Sequence, residues 1–369
     1  MQEIKKRRIV IASVLKPATD TRMYAKIGLT LATQHEVHVI GWGSSMDVGA
    51  NPAIHFIGAF PRLSIERMLA PFRILFRALK LRPDVFIAST HELLTVAMIL
   101  KLFTGCQIWY DVQENHSKNI RYTPTFPQFI RPILSAWVRL KERLTAGLVE
   151  RFLLAEKAYL QELPFMASRA LIIENKVRRS DVKPRLEDTR DSLLQIRPLR
   201  LLFSGTIAKS TGVFVAIDLA SRLNPIHAVH LTIVGYCPEK RQRDELISAC
   251  SGKPFIKLTG VDKPVPHEQI INEITMADLG IVSYPENPST WTCIPTKIYE
   301  YMAARLPMFV VNNPLWVALC NRYHAAVVFD PKDIYPEQLL SNLNTIDFYP
   351  IDPQDIYWES ESMKLLEIL

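Results

Sequence analysis

Leu201-Leu202-Phe203-Ser204-Gly205-Thr206-Ile207-Ala208-Lys209-Ser210-Thr211-Gly212 reads as a short buried strand, a glycine turn and the start of a helix. These are the parts of a phosphate site on an α/β sheet: a strand end, exposed backbone donors and a nearby cation, Lys209. The spacing is neither the glycine fingerprint of dinucleotide-binding folds nor a P-loop. A second stretch has the same character: Ile294-Pro295-Thr296-Lys297-Ile298-Tyr299-Glu300-Tyr301-Met302-Ala303-Ala304. Pro295 suits the position just ahead of a helix, because its φ is fixed and it lacks an N–H. Thr296 is expected to cap that helix, with Ile298, Tyr301 and Met302 sharing one side. The free N–H groups of such a helix attract phosphate, and the Glu300 carboxylate can accept both hydroxyls of a ribose. An ordinary capped helix with a solvated Glu300 would carry the same letters.

Outward from these stretches, apolar runs alternate with helical patterns along the whole chain. Arg8–Ser13, Glu36–Ile40, Asp84–Ala88, Gln107–Tyr110, Leu148–Ala155 and Ala170–Ile173 are expected strands of the first half. Leu199–Phe203, Val229–Val234, Phe255–Leu258, Leu279–Val282, Met308–Val311 and Ala326–Phe329 are expected strands of the second. Runs of Val, Ile and Leu without alternation are what parallel strands buried on both faces require. Interleaved with helices, they give α/β layers. The turns Gly235-Tyr236 and Gly260-Val261, like Gly205-Thr206, fall at strand carboxyl ends, where doubly wound sheets bind ligands. Lys176–Pro198, charged and almost without large apolar residues before Leu193, marks a linker between two domains.

The length of 369 residues allows two cores, and 48% hydrophobic with 22% charged residues is ordinary for a globular chain. The five cysteines have no paired short spacing, so neither a zinc site nor a disulfide framework is expected, and a reducing cytoplasm fits. His227 and His230 precede a strand and are not read as metal ligands. Lys5–Arg8 followed by Ile9–Leu15 is read as a first buried strand and not as a signal peptide, since Lys16-Pro17 replaces a small-residue cleavage site. Leu93–Phe103 contains Lys101 and falls short of the ~20 apolar residues of a membrane span. The formal net charge of +7 calls for an anionic partner: nucleic acid, acidic lipid or a nucleotide donor.

Two segments of the first half carry that charge. In 62–82 the apolar residues Met68, Leu69, Phe72, Leu75, Phe76 and Leu79 share a helical stripe, beside Arg67, Arg73, Arg77, Lys80 and Arg82. In 124–144 the residues Phe126, Phe129, Ile130, Ile133, Leu134 and Trp137 lie beside Arg131, Arg139, Lys141 and Arg143. Basic amphipathic helices of this kind bind an anionic membrane surface. Packing of the stripe on the sheet is the equally weighted alternative. No nucleic-acid partner is expected, because no reading motif or aromatic-on-basic strand surface is present.

The order Ser204-Gly205-Thr206, Leu231–Gly235, Leu258–Val261, Ala277–Ile281 and Pro295–Ala303 resembles the donor domain of GT-B glycosyltransferases, specifically glycosyltransferase family 4, also called glycosyl transferases group 1. Asp84–Leu94 and Trp109–Glu114 resemble that family's first-domain signatures, and Glu174-Asn175 and Trp358-Glu359 its linker and last helix. The resemblance implies two doubly wound, Rossmann-like domains facing each other across a cleft: 1–190 for the acceptor and 191–350 for the nucleotide-sugar donor. Residues 351–369 would be a crossover helix returning to the first domain. It implies donor contacts from Gly205, Thr206, Lys209, Gly235, Tyr236, Val261, Thr296, Lys297 and Glu300, with Glu300 on the ribose. It also implies transfer with retention of configuration, needing neither a protein nucleophile nor a metal or other cofactor, because the site has only to stabilise the departing diphosphate.

The sequence departs from the family at several positions. Thr206 and Thr211 stand where Arg and Lys usually grip phosphate, leaving Lys209 or Lys297 to serve as point charges. Thr292 replaces the first Glu of the commoner donor motif, while Ile87, Ser89, Thr90 and Gln113 replace the first domain's histidine signature. Asp20, Arg22, His91 and Glu92 are the acceptor-side candidates, with turn and cap roles as the alternative for the first two and a structural or solvent-facing role, the more expected one, for His91 as for His116. Glu114, following a strand, is the candidate base. The expected function is transfer of a sugar, UDP-linked being the commonest choice in the family, to a membrane-associated glycan or lipid-linked acceptor in surface polysaccharide biosynthesis. The place expected is the cytoplasm, peripheral at the inner face of the membrane. A catalytically silent GT-B subunit that holds a partner or the membrane, or a sugar-nucleotide epimerase, are the rival functions.

Overall fold

The computed structural model describes residues 5–43, 51–60, 64–182, 184, 193–195 and 198–369. Arg62 and much of the expected linker (183, 185–192, 196–197) lie outside the described residues. Seven strands form the first sheet: β1 (Arg8–Pro17), β2 (Glu36–Trp42), β3 (Ala53–Phe56), β4 (Val85–Ala88), β5 (Gln107–Val112), β6 (Arg151–Leu154) and β7 (Ala170–Ile172). Six form the second: β8 (Leu199–Ser204), β9 (Val229–Tyr236), β10 (Ile256–Val261), β11 (Leu279–Val282), β12 (Met308–Val311) and β13 (Ala326–Phe329). The orders are β3-β2-β1-β4-β5-β6-β7 and β10-β9-β8-β11-β12-β13. Every pairing within them is parallel. The strand order reverses between β1 and β4 and between β8 and β11, which makes each sheet doubly wound.

Burial explains why these runs pair. Ile9 to Ala12 on β1 and all four residues of β4, β11 and β12 are buried, as strands covered by helices on both faces must be. β3 was not expected. Its four residues are only half-buried at the sheet edge, so no continuous apolar run announces it. The run Leu148–Ala155 begins instead with a 3₁₀ turn, Ala146–Leu148, before β6.

The chain divides into two compact units, Met1–Asn175 with Trp358–Leu369, and Lys176–Tyr357. They part at 175/176, ahead of the expected 190/191, because Val177 and Val182 are buried in the second core and Val177 bridges to Tyr357. The last helix, Trp358–Glu367, belongs to the first unit. Trp358 and Leu365 join that core, Trp358 Nε1 donates to Thr30 Oγ1 at 2.9 Å, and Glu361 Oε2 accepts the Glu174 N–H.

The two basic segments are helical over Ile65–Leu81 and Arg131–Thr145. The first tucks Ala70, Ile74, Leu75 and Ala78 inward and leaves Met68, Leu69, Phe72 and Phe76 exposed. Most large residues of the stripe therefore stay exposed, the exceptions being buried Leu75 and half-buried Leu79.

Candidate active site

Three glycine turns lie side by side at the carboxyl edge of the second sheet. Gly205, Gly235 and Gly260 all have positive φ, of 96°, 152° and 87°. A Cβ on Gly235 would come 1.7 Å from Gly205 O, and one on Gly260 2.5 Å from Gly235 O, so the turns are in direct backbone contact. Nothing described lies within 4 Å of the Cβ position at Gly205. Val261 follows Gly260 with φ +55°, an uncommon conformation for a β-branched residue and one the surrounding structure has to hold. Tyr236 is exposed at the end of β9.

The helix Thr296–Ala303 closes this edge. Pro295, not Thr296, occupies its cap position, since Thr296 already has helical backbone, and no side chain caps the turn. Ile298, Tyr301 and Met302 are fully buried. Tyr301 OH meets Ser204 Oγ at 2.9 Å, which ties the helix to the end of β8, and the Tyr301 ring lies where a side chain on Gly280 would be.

Lys297 is 5% exposed, and its Nζ has no hydrogen-bond partner among the described residues. It sits 4.0 Å from the Phe203 ring centroid and 5.1 Å from that of Tyr284, beside β8 and β11 where the strand order reverses. Burial pushes its pKa down to about 7, with Glu300 acting in the opposite direction. One turn further on, Glu300 Oε1 is 2.9 Å from His267 Nε2, and the Glu300 side chain is 12% exposed. His267 opens the helix His267–Met276 that follows β10. Thus Gly205, Gly235, Val261, Lys297 and Glu300 are brought to one edge, where a buried ammonium and an oriented carboxylate flank three backbone turns.

The other expected donor residues are arranged differently. Lys209 is drawn to Glu245 at 2.6 Å, and its backbone N–H donates to Gln242. Thr211 closes its own loop: its hydroxyl accepts from Ala208 N and lies within hydrogen-bond distance of Thr206 O at 2.8 Å. Thr206 is exposed just after Gly205. Among the described residues no group of three or more His, Cys, Asp or Glu is placed to hold a metal ion.

Residues 185–345 match the family model for glycosyl transferases group 1. The whole chain is similar in fold to sucrose-phosphate synthase from Thermosynechococcus elongatus, with TM-score 0.75 at 13% identity over 98% of both chains. HepE from Anabaena, solved in complex with UDP-glucose, gives TM-score 0.66 at 12% identity over 98% of this chain and 99% of that one. The catalytic domain of starch synthase IV from Arabidopsis thaliana, bound to ADP and acarbose, gives 0.64 at 12% over 98% of both. No curated protein matches in sequence. Residues 185–345, in the second unit, thus match a group 1 glycosyl transferase domain, and the whole chain has the GT-B fold.

In the first unit, two of the expected acceptor residues hold the fold. Asp20 accepts from the Arg22 and Met23 N–H groups and so caps the helical turn Thr21–Gly28. Arg22, 2% exposed, pairs with the buried Asp111 at 2.8 Å and donates to Ile173 O at 2.9 Å. A buried guanidinium needs such a partner, and Asp111 on β5 supplies it. Glu114 is exposed and accepts from Asn119 Nδ2.

His91 and Glu92 belong instead to a polar cluster at the carboxyl ends of β4 and β5. Lys141 Nζ is 2.9 Å from His91 Nδ1, and Arg67 is 3.0 Å from Glu92 Oε1. His116 meets the His91 ring edge-on, with centroids 4.9 Å apart. Burial, together with the neighbouring cations, pushes His91 down to about 3, so the ring is neutral and Nδ1 accepts the lysine proton. Glu92 Oε2, His116 Nε2 and the hydroxyls of Ser89 and Thr90 are buried without a hydrogen-bond partner among the described residues, Glu92 Oε2 lying 3.7 Å from His91 Nε2. Sequence reasoning missed His267, Arg67 and Lys141 in these roles, since each finds its partner at least 25 residues away.

Proposed function

We propose that the chain is a glycosyltransferase that takes its sugar from a UDP-sugar held at the carboxyl edge of the second sheet. Glu300 accepts the ribose hydroxyls, the Gly205 turn and Lys297 meet the diphosphate, and the turns at Gly235-Tyr236 and Gly260-Val261 border the base. The observation that carries this is the single turn of helix bearing both a buried unpartnered Lys297 and a Glu300 already oriented by His267. A diphosphate arriving there supplies the anion the ammonium lacks, and that ammonium stabilises the charge that develops as the glycosidic bond to phosphate breaks. Transfer with retention of configuration and without a metal fits a site in which the departing phosphate itself takes the acceptor's proton. The acceptor we infer is a membrane-associated glycan or lipid-linked sugar of surface polysaccharide biosynthesis, in keeping with the basic helices of the first unit and with work at the inner membrane face.

A thermal-shift screen of nucleoside diphosphates, followed by turnover of a UDP-sugar panel, tests this. UDP is expected to raise the Tm, and Glu300→Ala to abolish the shift. An unchanged shift in Glu300→Ala overturns the site. A wild-type chain that binds no nucleotide at millimolar concentration favours a silent subunit, a possibility kept open by Thr206 and Thr211.

A further inference from the structure

Helix Arg131–Thr145 is inside out. Apart from Val138, its buried residues are polar: Ser135 bonds Ser117, Glu142 accepts from Tyr110 OH at 3.1 Å, and the Thr145 hydroxyl donates to Lys141 O. Its large apolar residues, Ile133, Trp137, Leu140 and Leu144, point out, with Trp137 61% exposed. Helix Ile65–Leu81 turns Met68, Phe72 and Phe76 outward in the same way. Between them lies helix Leu93–Thr104, packed against both, with Leu102 83% and Phe103 72% exposed. Single exposed apolar residues need no explanation, but three adjacent helices presenting them together do.

Charge identifies what covers the face. Arg73, Arg77, Lys80 and Arg143 are exposed on these helices, against one exposed acid, Glu66. Aromatic and aliphatic residues ringed by cations match an anionic leaflet, where each basic residue near the surface contributes about 1 kcal/mol. Each helix also sends one group to the polar cluster of the first unit: Arg67 from the first, Glu92 from the head of the second, Lys141 from the third. In that cluster Glu92 Oε2, His116 Nε2, Ser89 Oγ and Thr90 Oγ1 have no hydrogen-bond partner among the described residues, a set of acceptors and hydroxyls suited to a polyol.

We propose that the three helices form one bilayer-docking face, and that the polar cluster on which they converge takes the hydroxylated head of an amphiphilic acceptor anchored in that bilayer. The head's identity as a sugar acceptor rests on the function proposed above; the docking face does not. The head hydroxyls donate to Glu92 Oε2 and exchange hydrogen bonds with Ser89, Thr90 and His116, while the tail lies beside Met98 and Trp137 in the leaflet.

Sedimentation of the full-length protein with vesicles tests the face. Phosphatidylcholine vesicles containing phosphatidylglycerol should bind at least about tenfold more tightly than phosphatidylcholine alone. Phe72→Glu combined with Trp137→Glu should remove that binding, and brominated lipid should quench wild-type tryptophan emission more than that of Trp137→Phe. Equal binding by wild type and the double variant overturns the face, as does a wild-type dimer in solution that the double variant dissolves without any vesicle binding. For the head, Glu92→Gln should lower transfer to dodecyl glycosides at least about tenfold, leaving vesicle binding and the UDP-induced Tm shift intact. Full transfer by Glu92→Gln overturns the head site. Absence of a UDP shift in the wild type counts against the donor site alone and leaves the vesicle result to decide the face.

Discussion

Glu300 and His267 are joined at 2.9 Å, linking the helix that closes the carboxyl edge of the second sheet to the helix that follows β10. The contact fixes the carboxylate before any ligand arrives, so little rotamer freedom remains to be lost on binding. Glu300→Gln is expected to weaken UDP binding about tenfold to hundredfold, the loss of hydrogen bonds to a charged acceptor, roughly 1.5–3 kcal/mol. His267→Ala should weaken it less, because Glu300 remains and loses only its orientation. Isothermal calorimetry on both variants checks the order; equal losses would mean that His267 itself touches the ligand.

Lys297 predicts a proton-coupled affinity. Its free pKa near 7 lies below its ordinary value, and a bound diphosphate raises it again. UDP binding should therefore take up a proton above about pH 7, and affinity should fall as pH rises from 7 to 9. Calorimetry at pH 8 in buffers of different ionisation enthalpy measures the uptake. The sign for stability follows from the same value. Between about 7 and 10.5 the unfolded chain holds the proton and the folded one does not, so stability from this group rises with pH across that window.

Lys297→Met then separates stability from function. Replacing a buried unpaired ammonium by an apolar chain of similar length should stabilise the second unit by about 1–4 kcal/mol at pH 6, with the gain fading by pH 10. The same variant should bind UDP about tenfold or more weakly. Denaturant unfolding at the two pH values, beside a binding titration, reads both effects.

The glycine turns should respond unequally to alanine. Gly235→Ala places a methyl 1.7 Å from Gly205 O and is expected to cost more than about 3 kcal/mol, or to prevent folding of the second unit. Gly205→Ala meets no described atom within 4 Å and should cost only about 1 kcal/mol through its positive φ. Any further effect at Gly205 would appear in UDP affinity, where a methyl crowds the diphosphate.

Arg22→Ala leaves Asp111 charged and buried without its partner. It should destabilise the first unit by about 3–5 kcal/mol, and Arg22→Ala with Asp111→Ala should recover part of that loss. UDP binding by the second unit should survive in both, a pattern that a direct role for Arg22 on acceptor alone would not give.

Much of the fold was legible because its signal is local. β11, β12 and β13 are runs of apolar residues bounded by turns, and their limits agree with the apolar runs themselves. The glycines at 205, 235 and 260 likewise mark strand ends by their own chemistry. What stayed hidden depends on partners distant in sequence. Arg22 and Asp111 are 89 positions apart, and nothing near either shows that one neutralises the other. Lys209 reads as a phosphate ligand, and nothing beside it in the chain shows that Glu245 is close enough to pair with it. Periodicity alone did not say which side of helix Arg131–Thr145 is outside, because its inward polar residues are satisfied by Ser117 and Tyr110 on other segments.

Trp358 and Leu365 complete the core of the unit that the chain leaves at Asn175. A ribosome that has finished the first 175 residues has therefore made a sheet with part of its packing missing, and 182 further residues intervene before that packing is supplied. The first unit should mature only after residues 358–369 have been made. Its exposed helices must be kept from aggregating until then.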